Sequence, residues 1–180
     1  MVSMLRNWAI FAIAAVWATP SLAQAPAATL PGGASSLQET YDAWRVVCVQ
    51  QATAPHCSVT QQQTQQNGQQ VLMLELFTDA ESNQLKGTLV LPFGLALANG
   101  VRLREGDKEL GGKFAFSTCV PVGCLVPMAF DTAALARLRK GESLKVSASV
   151  SDSGQPVDLS ISLKGFAQAH DRISLVAKGQ

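Results

Sequence analysis

Residues 89–130 read LVLPFGLALANGVRLREGDKELGGKFAFSTCVPVGCLVPMAF, and this stretch decides the fold. Glycine, proline and asparagine interrupt it at short intervals, at Phe93-Gly94, at Asn99-Gly100 and just before Cys124, which is typical of tight turns. Between the turns, apolar residues alternate with polar ones, as in a strand with one wet face. The stretch therefore predicts strand, turn, strand, turn and strand, closed by Cys119 and Cys124.

Strand patterns continue on both sides of this stretch. Upstream, residues 71–78 and 85–91 are rich in apolar residues and short enough for strands. Downstream, residues 144–150 and 157–163 alternate strictly around a turn at 152–156. A slip of one residue would turn every apolar side chain of this hairpin to water, so the sequence specifies its register.

One segment between the strands has the features of a helix. Asp131 is a good N-cap, basic residues fill the last turn of DTAALARLRK, and Gly141 is a natural stop. Leu135 and Leu138 lie three residues apart and would face the sheet. Residues 165–174 are expected to form a second, short helix or loop near the C-terminus.

The region before residue 71 contains two further strand patterns. We interpret residues 37–50 as one strand with Trp44 as a core anchor, and Cys57 as the start of the next strand. Residues 58–70, SVTQQQTQQNGQQ, fit either an adhesive low-complexity tract or a polar edge hairpin that turns at Asn67-Gly68. We favour the hairpin because a buried strand follows it at once.

The elements together predict an all-β fold. It is mainly an antiparallel β-sandwich or flattened barrel, with one inserted short helix and a short C-terminal helix. We expect one domain at residues 37–174, preceded by a flexible linker at 24–36 rich in Pro, Gly, Ala and Ser. Residues 175–180 would be a C-terminal tail.

The N-terminus has the composition of a secretory signal. Arg6 precedes an apolar run of about eleven residues, which is too short for a membrane span, and Ser21-Leu22-Ala23 resembles a cleavage site. We therefore expect residues 1–23 to be a signal peptide. The mature chain would be periplasmic, secreted or on the outer surface.

The charge balance argues against two classes of partner. The chain has 14 Lys and Arg against 13 Asp and Glu, and the basic residues form no long run. Nucleic acids and anionic membrane surfaces both select clustered basic residues. After residue 23 no apolar run is long enough to span a bilayer, so we expect no transmembrane segment in the mature chain.

The four cysteines are expected to form two disulfides in an exported chain. The sequence allows three connectivities, and we favour the local pairs Cys48 with Cys57 and Cys119 with Cys124. A redox role is disfavoured because four residues separate Cys119 from Cys124, unlike the spacing of two in thiol oxidoreductases. Zinc held by Cys48, His56 and Cys57 is conceivable but conflicts with oxidised thiols.

The other polar residues form no recognisable catalytic set. His56 is expected in a loop and His170 in solvent, and most acidic residues fall at turns or on wet strand faces. Arg102 and Arg104, with Lys108 nearby, could bind an acidic partner, although a solvated face is the simpler interpretation. We therefore expect no enzyme, no cofactor and no metal site.

Several motifs in combination resemble the invasion-associated locus B family of bacterial exported proteins. They are W-x-x-x-C at 44–48 with Cys57 nearby, L-P-F-G at 91–94, G-V-x-L at 100–103, and F-x-x-C-x-x-x-G-C at 116–124. The helix at 131–141 and the alternating strand after it extend the resemblance, which covers about residues 41–166. The resemblance implies a β-rich periplasmic or outer-surface domain, with members linked to host-cell invasion.

We expect the protein to act by binding another envelope protein or a host-surface protein. Two alternatives remain: a periplasmic module that binds a small molecule or glycan, and an enzyme with an unrecognised site. An exposed apolar patch would favour the first function, and polar groups converging in a pocket would favour the others.

Overall fold

The computed structural model describes residues 28–79 and 81–180, and the predicted signal peptide lies outside them. The described residues form eleven strands and two α-helices. In chain order these are β1 Ser36–Tyr41, β2 Trp44–Gln50, β3 Pro55–Thr64, β4 Gln70–Thr78, β5 Leu85–Leu91, β6 Arg102–Glu105, β7 Lys108–Glu109, β8 Thr118–Val120, β9 Gly123–Phe130, α1 Thr132–Leu138, β10 Ser143–Ser149, β11 Pro156–Ser162 and α2 Phe166–Val176.

The strands form two antiparallel sheets. The large sheet has the order β1-β2-β3-β4-β5-β9-β8, and the small sheet has the order β11-β10-β6-β7. The predicted β-sandwich with two short helices is confirmed. The hairpin of β10 and β11 also has the predicted register, with Leu144 opposite Ile161 and Val146 opposite Leu159.

The core lies between one face of the large sheet and a cover made of the small sheet and α2. Trp44 is fully buried there, and its ring centroid lies 5.0 Å from that of Phe166 on α2. The indole Nε1 also donates to the carbonyl oxygen of Ser162 at 2.9 Å. Trp44 is therefore the predicted core anchor, and its one polar group is satisfied by the small sheet.

The residue before each helix explains why the helix begins there. The side chain of Asp131 accepts a hydrogen bond from the Ala134 amide at 2.7 Å, as predicted for an N-cap. Gly165 precedes α2 with a φ of 87°. A Cβ atom at that position would overlap the Tyr41 carbonyl, so only glycine fits at this approach of the helix to the sheet.

The prediction of a single strand at 37–50 is wrong. The chain reverses at Asp42 and Ala43, which separate β1 from β2. Asp42 adopts a φ of 48°, a left-handed conformation that aspartate tolerates better than most residues with a Cβ atom. The missed turn makes β1 an edge strand of the large sheet.

The prediction of one strand at 113–119 is also wrong. Phe114 makes a single antiparallel bridge to Val101, and the strand β8 begins only at Thr118. Between these two points the chain passes from the small sheet to the large one. Phe114 and Phe116 still pack against the core, so their predicted common face is retained without a continuous ladder.

The glutamine-rich hairpin turns at the predicted Asn67-Gly68 but does not lie at an edge. Its strands, β3 and β4, are the third and fourth of the seven in the large sheet. The buried amide of Gln61 makes two hydrogen bonds with the backbone of Ser162, through Nε2 at 2.8 Å and Oε1 at 3.2 Å. Two of the glutamines, Gln61 and Gln63, thus join the two sheets, because Gln63 donates to the Ser160 carbonyl at 2.7 Å.

The residues just before β1 pack on the domain. Leu30 is buried, and its amide donates to the side chain of Gln50 at 2.9 Å. The carbonyl of Ser35 accepts a hydrogen bond from the Gln50 amide at 2.9 Å. The part of the predicted linker at 24–36 that the structure describes therefore contributes to the core, because the side chain of Leu30 is buried among other apolar residues.

Candidate interaction surface

The disulfide Cys48–Cys57 joins β2 and β3 within the core. The two cysteines lie directly opposite each other, with their Cα atoms 4.0 Å apart, and both are buried. Helix α2 packs against the same two strands. This bridge is therefore a covalent link inside the packed half of the sandwich.

The disulfide Cys119–Cys124 joins β8 and β9 at the opposite end of the strands. It closes a hairpin whose turn is Pro121-Val122, with the two Cα atoms 3.9 Å apart. Cys124 is buried, whereas Cys119 is exposed. The predicted local pairing is confirmed for both bridges.

A zinc site at Cys48, His56 and Cys57 does not fit this arrangement. Both sulfurs are taken by the disulfide. Adjacent residues of a strand point to opposite faces of the sheet, so the His56 ring lies on the outer face, away from the bridge. There its centroid is 5.7 Å from that of Phe77. Within the described residues no group of three or more His, Cys, Asp or Glu could hold a metal ion.

His170 is buried, so the expectation that it lies in solvent is wrong. It occupies the inner side of α2 beside Phe166, and its Nδ1 atom lies 3.1 Å from the Arg139 guanidinium. Burial lowers the pKa of His170, and the positive charge of Arg139 lowers it further. Arg139 is held by a two-point contact with Asp171 at 2.7 and 3.0 Å. The imidazole thus serves as a neutral core group.

The two arginines of strand β6 already make contacts within the domain, Arg102 with a carboxylate and Arg104 with a backbone carbonyl. Arg102 contacts Glu109 at 2.6 Å, and Arg104 donates to the Asp107 carbonyl at 3.2 Å. Both arginines project from a solvated face, as the simpler interpretation of the sequence has it. The exposed Arg102–Glu109 pair contributes little to stability, and it reduces the charge that Arg102 offers to an acidic partner.

An exposed apolar surface lies at the end of the molecule that carries the Cys119–Cys124 hairpin. Phe93 is 60% exposed, Val122 63% and Leu97 44%. The register of β5 and β9 places Leu91 opposite Cys124, so Phe93 and Val122 follow at the same end of the two strands. We call the loop at 92–98 and the turn at 121–122 the uncharged end.

Two long stretches of sequence that lead into and out of this end contain no charged residue. Residues 87–101 and 114–130 contain no Lys, Arg, Asp or Glu. The loop is anchored at its base, because Gly94 accepts a hydrogen bond from the Ser151 amide and the Ala96 amide donates to Ser149, both at 2.8 Å. The apolar side chains are therefore presented on a fixed frame.

A cleft of about 710 Å³ lies at the other end, between the C-terminal half of α2 and the loop after β4. Its apolar wall includes Phe77 and Ile173, and His56 and Lys178 line its rim. Asp79 is also there, but hydrogen bonds from Ser82 and a contact with Lys86 at 3.0 Å hold its pKa well below the usual range. The size suits a small ligand.

Comparison with known proteins identifies the family. The family model for the invasion associated locus B (IalB) protein matches residues 44–174. The chain belongs to the invasion-associated locus B family. It is 41% identical over 175 residues to an invasion protein B homolog of Brucella abortus (strain 2308), covering 97% of this chain and all of that protein.

A second relative and a solved structure agree with this assignment. Invasion protein B of Bartonella bacilliformis is 35% identical over 161 residues, which is 88% of this chain and 86% of that one. The crystal structure of invasion associated protein B from Bartonella henselae matches with a TM-score of 0.74 and 31% identity, over 79% of this chain and 98% of that one. The locus B family therefore accounts for the fold.

Two motifs that carry the family resemblance meet at the uncharged end. The L-P-F-G motif supplies Phe93, and the C-x-x-x-G-C motif supplies Val122 and the disulfide beside it. From the sequence, Phe93-Gly94 is only a bend, and nothing in it shows that the phenylalanine is exposed. Within the described residues no helix is long and apolar enough to cross a membrane.

Proposed function

We propose that this locus B family member is an exported envelope protein that acts by contact and not by catalysis, with the uncharged end as its contact surface. The observation that carries the proposal is the pair of exposed side chains Phe93 and Val122 on a loop and a turn without charges. Removing an apolar side chain from water is favourable. For side chains that the fold leaves exposed, this removal requires a partner that covers them.

The frame of this surface supports a binding role. The disulfide Cys119–Cys124 fixes the hairpin, and backbone hydrogen bonds with Ser149 and Ser151 fix the loop, so little conformational freedom is lost when a partner binds. Aromatic anchors such as Phe93 dominate the energetics of many protein interfaces. The partner is expected to be an envelope or host-surface protein with an apolar site.

A photo-crosslinking experiment tests the contact surface. Benzoylphenylalanine is placed at Phe93 in the bacterium that produces the protein, and after irradiation adducts are identified by mass spectrometry. We expect one protein adduct in high yield, because the side chain would lie in the interface. Adding Val122→Asp should abolish this adduct, since a charge would be buried without a partner.

The matched control uses Val49, which is 49% exposed and lies at the other end of the strands. Benzoylphenylalanine at Val49 should not give the adduct, and Val49→Asp should leave the adduct at Phe93 unchanged. Equal labelling of the same partner protein from both positions, or adducts with lipid only, would contradict the proposal.

The cleft supports a second candidate function, the binding of a small molecule or glycan. The specific observation is the aromatic pair formed by Phe77 on the cleft wall and His56 at its rim, because aromatic rings offer an apolar face to a sugar or similar ligand. A thermal-shift screen of mono- and disaccharides tests it. A sugar that raises the Tm of the wild type but not of Phe77→Ala would establish this function, and no shift with any sugar would refute the glycan form of it.

A further inference from the structure

The described residues form two sheets with four edge strands, and three of these edges are protected. An unprotected edge offers free N–H and C=O groups to any other strand, so proteins commonly block their edges. The strand β8 has only three residues and is followed by Pro121, which has no N–H to donate.

Side chains protect the two edges of the small sheet. At β11, the amides of Gln61 and Gln63 bind the outward backbone groups of Ser162 and Ser160. At β7, which has only two residues, the guanidinium of Arg137 donates to the carbonyls of Lys108 and Glu109 at 3.0 and 2.9 Å. In both places a side chain stands where the next strand would bind.

The strand β1 is different, because it is long and open. The Gln50 amide bonds to the Ser35 carbonyl, so by alternation the backbone groups of Ser36, Gln38 and Thr40 point away from β2. Outside the ladder with β2, no hydrogen bond from another described residue reaches those groups. Their side chains are exposed, and β1 has no proline and no bulge.

The surroundings of this edge suit another protein surface. The one charged residue of β1, Glu39, is held by Arg172 of α2 with an Nε–Oε2 distance of 2.9 Å. Two exposed apolar residues flank the edge: Val49, opposite Ser36 on β2, and Leu175, which is 43% exposed and lies one turn after Arg172. A partner that approaches this edge would find an exposed apolar side chain at Val49 on the adjacent strand.

We propose that β1 pairs with β1 of a second copy of this chain, antiparallel and centred on Gln38. A two-fold axis at Gln38 places Gln38 opposite Gln38 and Ser36 opposite Thr40, with no like charges facing each other. Each copy contributes the outward groups of three residues, and the two large sheets become one continuous sheet. This interface lies at the edge opposite β8, so it is independent of the contact surface proposed above.

Sedimentation velocity over a range of concentrations of the mature protein tests the pairing. We expect a concentration-dependent dimer for the wild type. Gln38→Lys and Gln38→Glu should each raise the dimer dissociation constant by about tenfold or more, because like charges then face each other directly across the axis. An equimolar mixture of the two variants should restore the dimer, because opposite charges then meet.

Thr40→Lys is the matched control. It lies on the same face of the same strand, but in this register the new lysine faces Ser36, so the dimer should be weakened much less than by Gln38→Lys. Gln38→Pro removes the central outward N–H without touching the bonds to β2 and should also favour the monomer. Circular dichroism checks that each variant is folded.

A wild type that stays monomeric at all concentrations would overturn the proposal. A dimer that tolerates Gln38→Lys and Gln38→Pro would overturn it as well. Loss of the adduct at Phe93 in the crosslinking experiment would not affect it, so the two proposals can fail separately.

Discussion

The two disulfides make the same kind of cross-strand link in very different surroundings. Cys48–Cys57 joins two interior strands beneath α2, and both of its cysteines are buried. Cys119–Cys124 joins the edge hairpin at the other end of the sheet, and one of its cysteines is exposed. The same covalent chemistry thus serves the core at one end and a surface hairpin at the other.

We infer that the first bridge mainly stabilises the fold, and that the second mainly fixes the shape of an exposed hairpin. A bridge in the core restrains the unfolded chain, and its atoms also pack against the neighbouring core side chains. A bridge in a surface hairpin mainly fixes the shape of that hairpin, here the turn that exposes Val122. We therefore expect the two bridges to respond differently to removal, to reductants and to pH.

Removal of the core bridge should have the largest effect. Cys48→Ala with Cys57→Ala is expected to lower the free energy of unfolding by about 3–5 kcal/mol. The unfolded chain regains the entropy that the bridge removes, and the folded core loses packing contacts. Urea denaturation of the purified variant measures this. A loss below about 1 kcal/mol would show that the bridge adds little to a core already held by α2.

Removal of the surface bridge should have a smaller effect. Cys119→Ala with Cys124→Ala is expected to lower the free energy of unfolding by about 2 kcal/mol, the loop-entropy contribution of a short ring. The same double variant should show no change in thiol–disulfide exchange activity. Loss of a measurable oxidoreductase activity would mean that the bridge is catalytic and not structural.

Reductants should distinguish the bridges in the folded protein. Under native conditions with dithiothreitol, we expect Cys119–Cys124 to open faster than Cys48–Cys57, by on the order of tenfold, because Cys119 is exposed whereas both cysteines of the other bridge are buried. Quenching with iodoacetamide and mapping of alkylated peptides gives both rates. Equal rates would indicate that both bridges react only through global unfolding.

The sequence predicts the fold wherever a local signal is strong. Asn67-Gly68 marks a turn that the structure confirms, and the strict alternation at 144–163 gives the correct register. The turn at Asp42-Ala43 has no glycine, and it depends on the left-handed conformation of Asp42. The register of the hairpin β1–β2 could not be seen locally, so the edge strand β1 was not predictable.

The candidate site was less predictable than the fold because exposure is a long-range property. The sequence left three connectivities open for the four cysteines, and the structure confirms the favoured local pairs. Phe93 and Val122, however, are nearly thirty residues apart. Only the pairing of β5 with β9 brings them to one end. Gln61 shows the converse, because a tract of polar residues typical of a solvated segment supplies a buried side chain that joins two sheets.

The smallest effect should come from pH, and it concerns the half of the sheet covered by α2. The pKa of His170 is lowered in the folded state, so the unfolded chain binds the proton more readily. Stability is then complete above the ordinary histidine pKa, near 6.5, and decreases as the pH falls below it. The loss between about pH 6.5 and 5.5 should be at most about 1 kcal/mol.

Urea denaturation at several pH values measures this loss, and His170→Gln should remove it at the expense of some stability at pH 7.5. His56→Gln, at an exposed site, is the control and should leave the pH dependence in place. Because α2 covers Cys48–Cys57, acid should also speed the reduction of that bridge relative to Cys119–Cys124 at equal thiolate concentration. If the ratio of the two reduction rates were the same at about pH 6.5 and pH 5.5, α2 would not be the element that protects the core disulfide.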